Sequence, residues 1–543
     1  MKNKSQLRWL LRRTGAAMYW KLALLTLLGM AMSYLSVRFA LISKTVLDIA
    51  SHAAEGSLQH EIVSLFVMLV LVLFSQVAYS LSNARISGKY AITLKEHVFR
   101  ICLGRDWQAI SSIHSGELIN RIHSDVGVIV TGVMLLVPNL VSLLFRLALS
   151  FYELFRLDVW FALVCLVMCP MVLFGARFYS SKMKKLHKKC METDGKTKSF
   201  MQEILQNLLV IKAYHTEESA VVHAREFQFL NFKFTLKRNH ISILMNILFY
   251  LALTASYYIA LGYCAWRLSL GLMTFGTLMA ILQLLNQVQT PIKDLSGIVP
   301  QYYSTLASAE RLQELEELPP DQRTALFASD SNLMVWVKDL CFSYGEEVVF
   351  DHADFTMTSG EFVAIGGISG IGKSTFLKLV MGILTPVSGS IDLYGEVAYV
   401  PQGNMVLSGT IRENIAFYRQ VDEDAIIRAA RVAEIYDFIC TLPNGFDTVL
   451  GEKGMGLSEG QVQRLAIARA VYLDAPLFLL DECTSALDEA TEAKVLQNLK
   501  ALPEKSCIII SHKQAAFDIA DRRVAIENKK IADCGDRNLF EAK

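Results

Sequence analysis

Lys373 and Ser374 are the residues whose types and spacing most clearly prescribe chemistry. They close the run Gly367-Ile368-Ser369-Gly370-Ile371-Gly372-Lys373-Ser374, which follows the apolar Phe362-Val363-Ala364-Ile365 and precedes a helix-compatible Thr375-Phe376-Leu377-Lys378-Leu379-Val380. A strand, then G-x-x-x-x-G-K-S, then a helix is the setting in which such a run cradles phosphate. Backbone N–H groups can close on phosphate oxygens only where side chains are absent, hence Gly367, Gly370 and Gly372. Lys373 supplies a point charge, and the Ser374 hydroxyl can ligate Mg²⁺. A glycine-rich turn can match this pattern by accident, so the company it keeps decides.

That company is present. Leu477-Phe478-Leu479-Leu480-Asp481-Glu482 is an apolar strand ending in two acids, a pattern that places Asp481 on Mg²⁺ and Glu482 beside an attacking water. Between the two stretches lies Leu457-Ser458-Glu459-Gly460-Gln461. Ser458 with Gln461 three residues on reads as a capping box, and an acid in the first turn suits the helix dipole.

These residues need a scaffold. At 543 residues the chain is too long for one compact core. It is 53% hydrophobic with a mean hydropathy of +0.35, high for a soluble enzyme. A net charge of +1 gives no global electrostatic case for binding nucleic acid. The ten cysteines are scattered, without C-x-x-C pairs or histidines at ligand spacing, and read as reduced structural thiols.

Six apolar stretches, near 20–43, 61–82, 131–154, 159–179, 242–265 and 273–297, are each long enough to cross a membrane. A span needs about 20 helical residues. The loop 49–60 has no Lys or Arg, and the turns 155–158 and 266–272 hold only Arg156 and Arg267. The connections 83–130 and 180–240 are rich in both, with Lys182, Lys184, Lys185, Lys188 and Lys189, so these face the cytoplasm. They lack the Gly and Pro of loops and read as helical continuations of the spans, with Leu118, Ile122 and Val126, then Leu205, Leu208 and Ile211, at helical spacing.

Ahead of the first span, Lys2, Lys4, Arg8, Arg12 and Arg13 around Leu7, Trp9, Leu10 and Leu11 suit a basic amphipathic helix on the cytoplasmic surface. No small-residue cleavage site follows, so the first apolar run is kept as a span, not a removed signal. A polar stretch with Glu314, Glu316, Glu317, Pro319, Pro320 and Asp321 leads into alternating strands and helices, the pattern of an α/β domain.

At this point the sequence resembles the ATP-binding cassette superfamily, since Leu457-Ser458-Glu459-Gly460-Gln461 looks like its L-S-G-G-Q signature, followed by Gln463, Arg464, Ala466, Ala468 and Arg469. The resemblance implies roles for further residues. Tyr344 would stack on adenine, Gln402 would contact Mg²⁺ and the membrane domain, and His512 would reach the γ phosphate. Ser485-Ala486-Leu487-Asp488 would communicate between two ATP sites, and Gly451-Glu452-Lys453-Gly454 would touch the partner's cytoplasmic helices. In the membrane half, Ser115-Gly116-Glu117-Leu118 with Arg121 and Asp125 resembles the exporter pattern near the first coupling helix. Six spans ahead of one cassette is the layout of an exporter-type half-transporter.

The expected fold is therefore multi-domain. An all-α six-span transmembrane domain (1–310, with an N-terminal elbow helix and long cytoplasmic extensions) is joined by a linker (311–331) to an α/β P-loop ATPase domain (332–543). The expected cofactors are ATP and Mg²⁺. ATP would be held by Tyr344, Gly367, Ser369, Gly370, Gly372, Lys373, Ser374 and Thr375, together with Ser458, Gly460 and Gln461 of a second copy. Ser374, Gln402 and Asp481 would hold Mg²⁺, with Glu482 as water-polarising base, His512 as γ-phosphate sensor and Gln402 completing the catalytic set.

A single phosphate loop cannot surround the charge developing on a γ phosphate, so a dimer with two ATPs at its seam is expected. A homodimer is preferred. Glu459 stands where the family has glycine; it is either a helix-end acid or a carboxylate that weakens the sandwich, as in half of a heterodimer, and the first reading is preferred.

Within the spans, the charges Arg38, Arg146 and Glu153 face a cavity or a partner, or else Arg38 and Glu153 snorkel to water at the outer boundary. Arg146 lies deeper, with Glu153 seven residues on along the same helical face as an alternative neighbour. Gln283, Asn286, Gln287, Gln289 and Thr290 of the sixth span read as pathway lining. Tyr250, Tyr257 and Tyr258 serve packing or substrate equally well. The chain is expected in the cytoplasmic membrane of a bacterium-like cell, exporting a drug, lipid or peptide, with no nucleic-acid partner. An importer on the same scaffold and a non-translocating sensory ATPase stay open. No cysteine-protease domain precedes the spans, which disfavours a leader-cleaving peptide exporter.

Overall fold

The computed structural model describes residues 15–113, 115–321, 333–403, 405–451 and 456–534, with Gln6, Trp9, Leu10 and Arg12 near the start. Side chains at 16–17, 164–182, 184–185, 187–188, 246, 249, 292–297 and 299–300 are also outside that description. Lys2, Lys4, Arg8 and Arg13 of the basic leader, most of the linker, and Glu452, Lys453 and Gly454 therefore lie outside the described residues. The chain divides into two compact units, Met1–Leu103 with His114–Glu317, and Gly104–Ile113 with Leu318–Lys543.

The first unit is helical. Its long elements are α1 (Ala16–Ala50), α2 (Leu58–Leu103), α3 (Ser115–Leu157), α4 (Val159–Gln206), α5 (Glu217–Ser269) and α6 (Phe275–Glu317). Together they carry the six apolar stretches. Met18–Ala50, Leu58–Leu103, Ser115–Leu157 and Glu217–Ser269 are long and apolar enough to cross a membrane on the described residues; much of the apolar run on α4 and the end of that on α6 fall among undescribed side chains. Helix α6 runs on through Glu317, so the residues just before Leu318 are helical.

Packing between these helices depends on small and polar groups, as expected where lipid supplies no hydrophobic contrast. Ser33 Oγ donates to the Ser142 carbonyl at 3.3 Å, and Gln287 Nε2 to the Ser36 carbonyl at 2.9 Å. Gln289 Nε2 reaches Ser256 Oγ at 2.7 Å. Two amides of the polar stripe thus join helices, while Asn286 and Thr290 of the same stripe are exposed in the single chain. Glu153 pairs with Arg156 at 3.4 Å, one turn along its own helix.

The helical stripes differ in detail from the sequence pattern. A π-helical turn at Arg121–Asp125 shifts the register, so Arg121, Asp125 and Val126 are buried and Leu118 and Ile122 only half-buried. Asp125 accepts from Ser308 Oγ at 2.9 Å and Arg311 Nε at 2.8 Å, which satisfies the buried carboxylate. Helix α4 breaks at Asn207, and Leu205 and Leu208 are exposed.

The second unit is α/β. Strands β1 (Leu333–Tyr344), β2 (Glu347–Thr358) and β4 (Ser388–Leu393) form an antiparallel sheet in the order β2-β1-β4. The main sheet has the order β11-β10-β3-β9-β8-β5, from β3 (Phe362–Gly366), β5 (Val397–Val400), β8 (Leu477–Asp481), β9 (Ser506–Ile510), β10 (Arg522–Glu527) and β11 (Lys530–Asp533). Strands β6 (Gly409–Thr410) and β7 (Val449–Leu450) form a separate pair.

All five residues of β3, of β8 and of β9 are buried, the continuous apolar pattern of strands covered on both faces. Alternate residues divide between two cores. Ala364, Phe478, Leu480, Cys507 and Ile509 face one, and Val363, Ile365, Leu477, Leu479, Ile508 and Ile510 face the other. The eight cysteines with described side chains are free, in line with reduced thiols.

Candidate active site

Parallel pairing puts the carboxyl ends of β3, β5, β8 and β9 on one edge, where ligands bind in sheets of this kind. The register is close: Ile365 lies opposite Ile510, Ile510 opposite Asp481, and Val400 opposite Leu480. Each strand then releases its functional residue within a few positions. Strand β3 leads to the glycine loop, β5 to Gln402, β8 to Asp481 and Glu482, and β9 to His512.

Gly367, Gly370 and Gly372 all have positive φ, at 129°, 84° and 110°. Side chains at such angles are strained, and a Cβ on Gly372 would also sit 2.5 Å from Val349 Cγ1. The loop closes over Lys373, which starts the helix Lys373–Val380 and is only 6% exposed. Its Nζ donates to the Gly367 carbonyl at 2.7 Å and the Ile368 carbonyl at 3.1 Å. Burial lowers the Lys373 pKa, opposed by the nearby Glu482 and Asp481 charges. The ammonium is thus buried behind the glycine loop, held by two carbonyls with two carboxylates nearby.

Ser374 Oγ donates to Asp481 Oδ1 at 3.0 Å, and Tyr399 OH to Asp481 Oδ2 at 3.3 Å. Asp481 is 3% exposed, and burial raises its pKa, with both hydroxyls pulling it back. Burial also pushes the Tyr399 phenol well above its ordinary value. Glu482 takes a left-handed backbone, φ 49°, with its N–H on the Ile510 carbonyl at 3.0 Å. That conformation is uncommon for a non-glycine residue and turns the carboxylate out of the strand. Gln402 Nε2 donates to Glu482 Oε2 at 2.8 Å, and His512 Nε2 lies 3.2 Å from Oε1. His512 Nε2 is also 3.4 Å from Lys373 Nζ, so the proton on that nitrogen decides which neighbour it bonds.

The structure thus brings Lys373, Ser374, Gln402, Asp481, Glu482 and His512 together. Tyr344 stands beside them, its hydroxyl 3.5 Å from Thr375 Oγ1 and its ring edge-on to Phe342. Ser369 and Gly370 are exposed at the loop tip. Tyr399 was not singled out by sequence reasoning, although it directly precedes Val400-Pro401-Gln402; a tyrosine at the end of a strand gives no hint of which acid it will meet.

Ser458, Gly460 and Gln461 are arranged apart from this group. Ser458 is the N-cap of the helix Glu459–Leu473, with the Gln461 N–H on its Oγ at 3.3 Å and its own N–H on Gln461 Oε1 at 2.8 Å, a complete capping box. Glu459 occupies the first helical position, where an acid favours the dipole. Among the described residues no hydrogen bond joins this turn to the phosphate loop. A Cβ on Gly460 would lie 3.0 Å from the Ala486 carbonyl and 3.3 Å from Leu487 Cδ2, so a larger residue there would have to push its neighbours aside by a few tenths of an ångström. Gln463, 2% exposed, donates to Ser485 Oγ at 2.9 Å and accepts from the Ala486 N–H at 3.0 Å.

A glycine loop, a buried lysine, a hydroxyl–carboxylate pair and a strand-end glutamate, fused to helices that can span a membrane, define a membrane-bound P-loop ATPase. Residues 21–292 match the ABC transporter transmembrane region and residues 350–485 match ABC transporter. The chain belongs to the ATP-binding cassette transporters. It is similar to an ATP-dependent lipid A-core flippase of Desulfotalea psychrophila, with 30% identity over 79% of this chain and 78% of the relative.

It is also similar to the mycobactin import ATP-binding/permease protein IrtB of Mycolicibacterium thermoresistibile, with 33% identity over 50% of each chain. The fold matches that of a bacterial Atm1-family ABC exporter with ATP bound, at a TM-score of 0.80 and 23% identity over 95% of each chain. The chain is a membrane protein of exporter-type half-transporter architecture, with one transmembrane domain and one cytoplasmic ATPase domain that couples ATP hydrolysis to transport.

Proposed function

We propose that two copies of this chain form a homodimer that binds two MgATP at its seam and moves an amphipathic lipid outward across the membrane. The observation that carries the dimer is the capped Ser458–Gln461 turn, which has no bond to the phosphate loop of its own chain among the described residues. The Ser458 hydroxyl and Gly460 N–H of one copy would complete the ATP site formed by the other.

The donor set fits the expected ligands. A glycine loop with positive φ and a buried Lys373 suits phosphate, and the Ser374 hydroxyl beside the Asp481 carboxylate suits Mg²⁺, with Gln402 near. When bound, Mg²⁺ neutralises charge on the phosphate oxygens. Tyr344 and Thr375 flank the loop where a nucleoside would lie. Glu482 orients the attacking water and takes its proton as oxygen bonds to the γ phosphorus and the bond to the β-phosphate oxygen breaks. Gln402 and His512 hold the two oxygens of Glu482 and aim it. The lipid substrate rests on the similarity to lipid A-core flippases; the similarity to a mycobactin import protein favours an import arm as the second reading.

The test uses the purified chain alone in lipid nanodiscs and in sealed vesicles. Glu482→Gln is expected to bind ATP normally and to lose hydrolysis by on the order of 10²-fold or more, the usual share of general-base catalysis. Wild-type turnover in that variant sinks the assignment. ATPase activity only after a companion chain is added excludes the homodimer. With a labelled anionic lipid in vesicles, ATP-driven movement inward selects import, and hydrolysis without movement of any lipid selects a sensory ATPase.

A further inference from the structure

Lys513 directly follows His512, and the structure draws it back onto the loop that leaves Glu482. Its Nζ donates to the Thr484 carbonyl at 2.9 Å and the Leu487 carbonyl at 2.6 Å, and lies 3.3 Å from Glu492 Oε2. Glu492 is fully buried, and its other oxygen accepts from Thr484 Oγ1 at 2.7 Å. Two of the ammonium donors are thus spent on loop carbonyls, and Glu492 Oε2, a buried oxygen with no hydrogen bond of its own among the described residues, stands beside the ammonium as its counter-charge.

The far side of the same loop is tied to the capped helix. Ser485 and Ala486 bond Gln463, and Ala486 and Leu487 press against Gly460. His512 in turn touches both Lys373 and Glu482. A continuous set of contacts therefore runs from the phosphate loop through His512, Lys513, residues 484–487 and Gly460 to Ser458. Glu492 is buried while Lys513 is half-buried, and an ion pair of this kind adds little to stability by itself. The use of this one lies in the two loop carbonyls it holds.

We propose that Lys513, held by Glu492, is a positioning residue that links the His512 segment of one ATP site to the Ser458–Gly460 turn the same chain presents to its partner. Displacement of His512 by phosphate then moves the turn as well, so occupancy of one site sets the geometry offered to the other. The inference rests on the proposed roles of His512 and Ser458.

The test is made on the full chain in nanodiscs with the paired variant Lys513→Met/Glu492→Gln, which leaves no buried charge unpartnered. Expected are an unchanged thermal midpoint and ATP affinity, a kcat lowered roughly tenfold by misplacement of the turn, and a Hill coefficient for ATP falling toward one. Lys513→Arg, which keeps donors to both carbonyls, should restore most of both. Wild-type kcat and cooperativity in the paired variant overturn the proposal, and so does a loss of kcat that merely tracks a lowered thermal midpoint. If neither the pair nor Lys513→Gln folds, Lys513 serves the fold and the proposal fails. Glu482→Gln is measured alongside: normal turnover there refutes the site assignment itself, whereas its expected loss beside an unaffected paired variant refutes only the link.

Discussion

Ser458 carries two expected duties that substitution can separate. As N-cap it accepts the Gln461 N–H at 3.3 Å, and the reciprocal bond from its own N–H to Gln461 Oε1 is 2.8 Å. As a member of the partner's ATP site it would offer a hydroxyl donor to the γ phosphate. Ser458→Ala removes both. Loss of an N-cap costs about 1 kcal/mol, within a range of roughly 0.5–2. For a unit of about 200 residues that is a fall of roughly 2–4 °C in thermal midpoint. Ser458→Asp restores the cap, because a carboxylate is an equally good or better acceptor there and gains from the helix dipole. It cannot donate to a phosphate and brings a second negative charge beside Glu459. The two variants should thus diverge in stability and agree in activity. The midpoint of the nucleotide-binding unit falls for alanine and holds for aspartate, while ATPase activity falls at least tenfold in both, the cost of one lost charge-stabilising donor being on the order of 10²-fold in such sites. Near-normal ATPase in Ser458→Asp would show that the turn is a helix cap and nothing more, and the dimer-seam reading would fall with it.

The raised pKa of Asp481 makes a pH prediction. Its carboxyl is protonated more readily in the native state than in the unfolded chain, so nucleotide-free stability is lost as pH rises from the ordinary 3.8 through the raised value and is regained on acidification. In Asp481→Asn that part of the pH dependence should vanish, the nucleotide-free midpoint at neutral pH should be at least that of wild type, and stabilisation by MgATP should be lost; paired melts across pH with and without MgATP check all three, and a variant less stable than wild type at neutral pH contradicts the burial account. In the membrane unit, a Cβ on Gly276 would overlap the Lys44 carbonyl and Asp48 Oδ1, where the Gly276 N–H already bonds Asp48 at 3.0 Å. Gly276→Ala must spread α1 from α6 and is expected to destabilise by roughly 1–3 kcal/mol, read as a lowered midpoint in detergent; an unchanged midpoint would mean the two helices are not held there.

The edge that gathers the site was legible because each of its residues follows a short apolar run. Runs such as Phe362-Val363-Ala364-Ile365 and Leu477-Phe478-Leu479-Leu480, short, apolar and each followed at once by polar or glycine residues, read as buried strands, and parallel strands release their next residues on one side. Less legible were residues whose role depends on a partner far along the chain. Tyr399 meets Asp481, and Lys513 meets Glu492, at separations no local period encodes. The helix through Leu118, Ile122 and Val126 is as the spacing implies, but the π-helical turn at Arg121–Asp125, one extra residue in a turn, was not legible, and it is Arg121 and Asp125 that are buried beside Val126. Glu459 lies between these cases. The geometry found for it, first in its helix behind a complete Ser458–Gln461 capping box, is the one local rules foresee, and it accounts for an acid at that position without appeal to a weakened ATP site. A weakened site would need the Glu459 carboxylate to face the partner's phosphate across the seam, and in that event Glu459→Gly should raise ATPase activity while lowering the midpoint. The capping geometry predicts the lowered midpoint alone, since glycine at the first position of a helix gives up both dipole interaction and propensity.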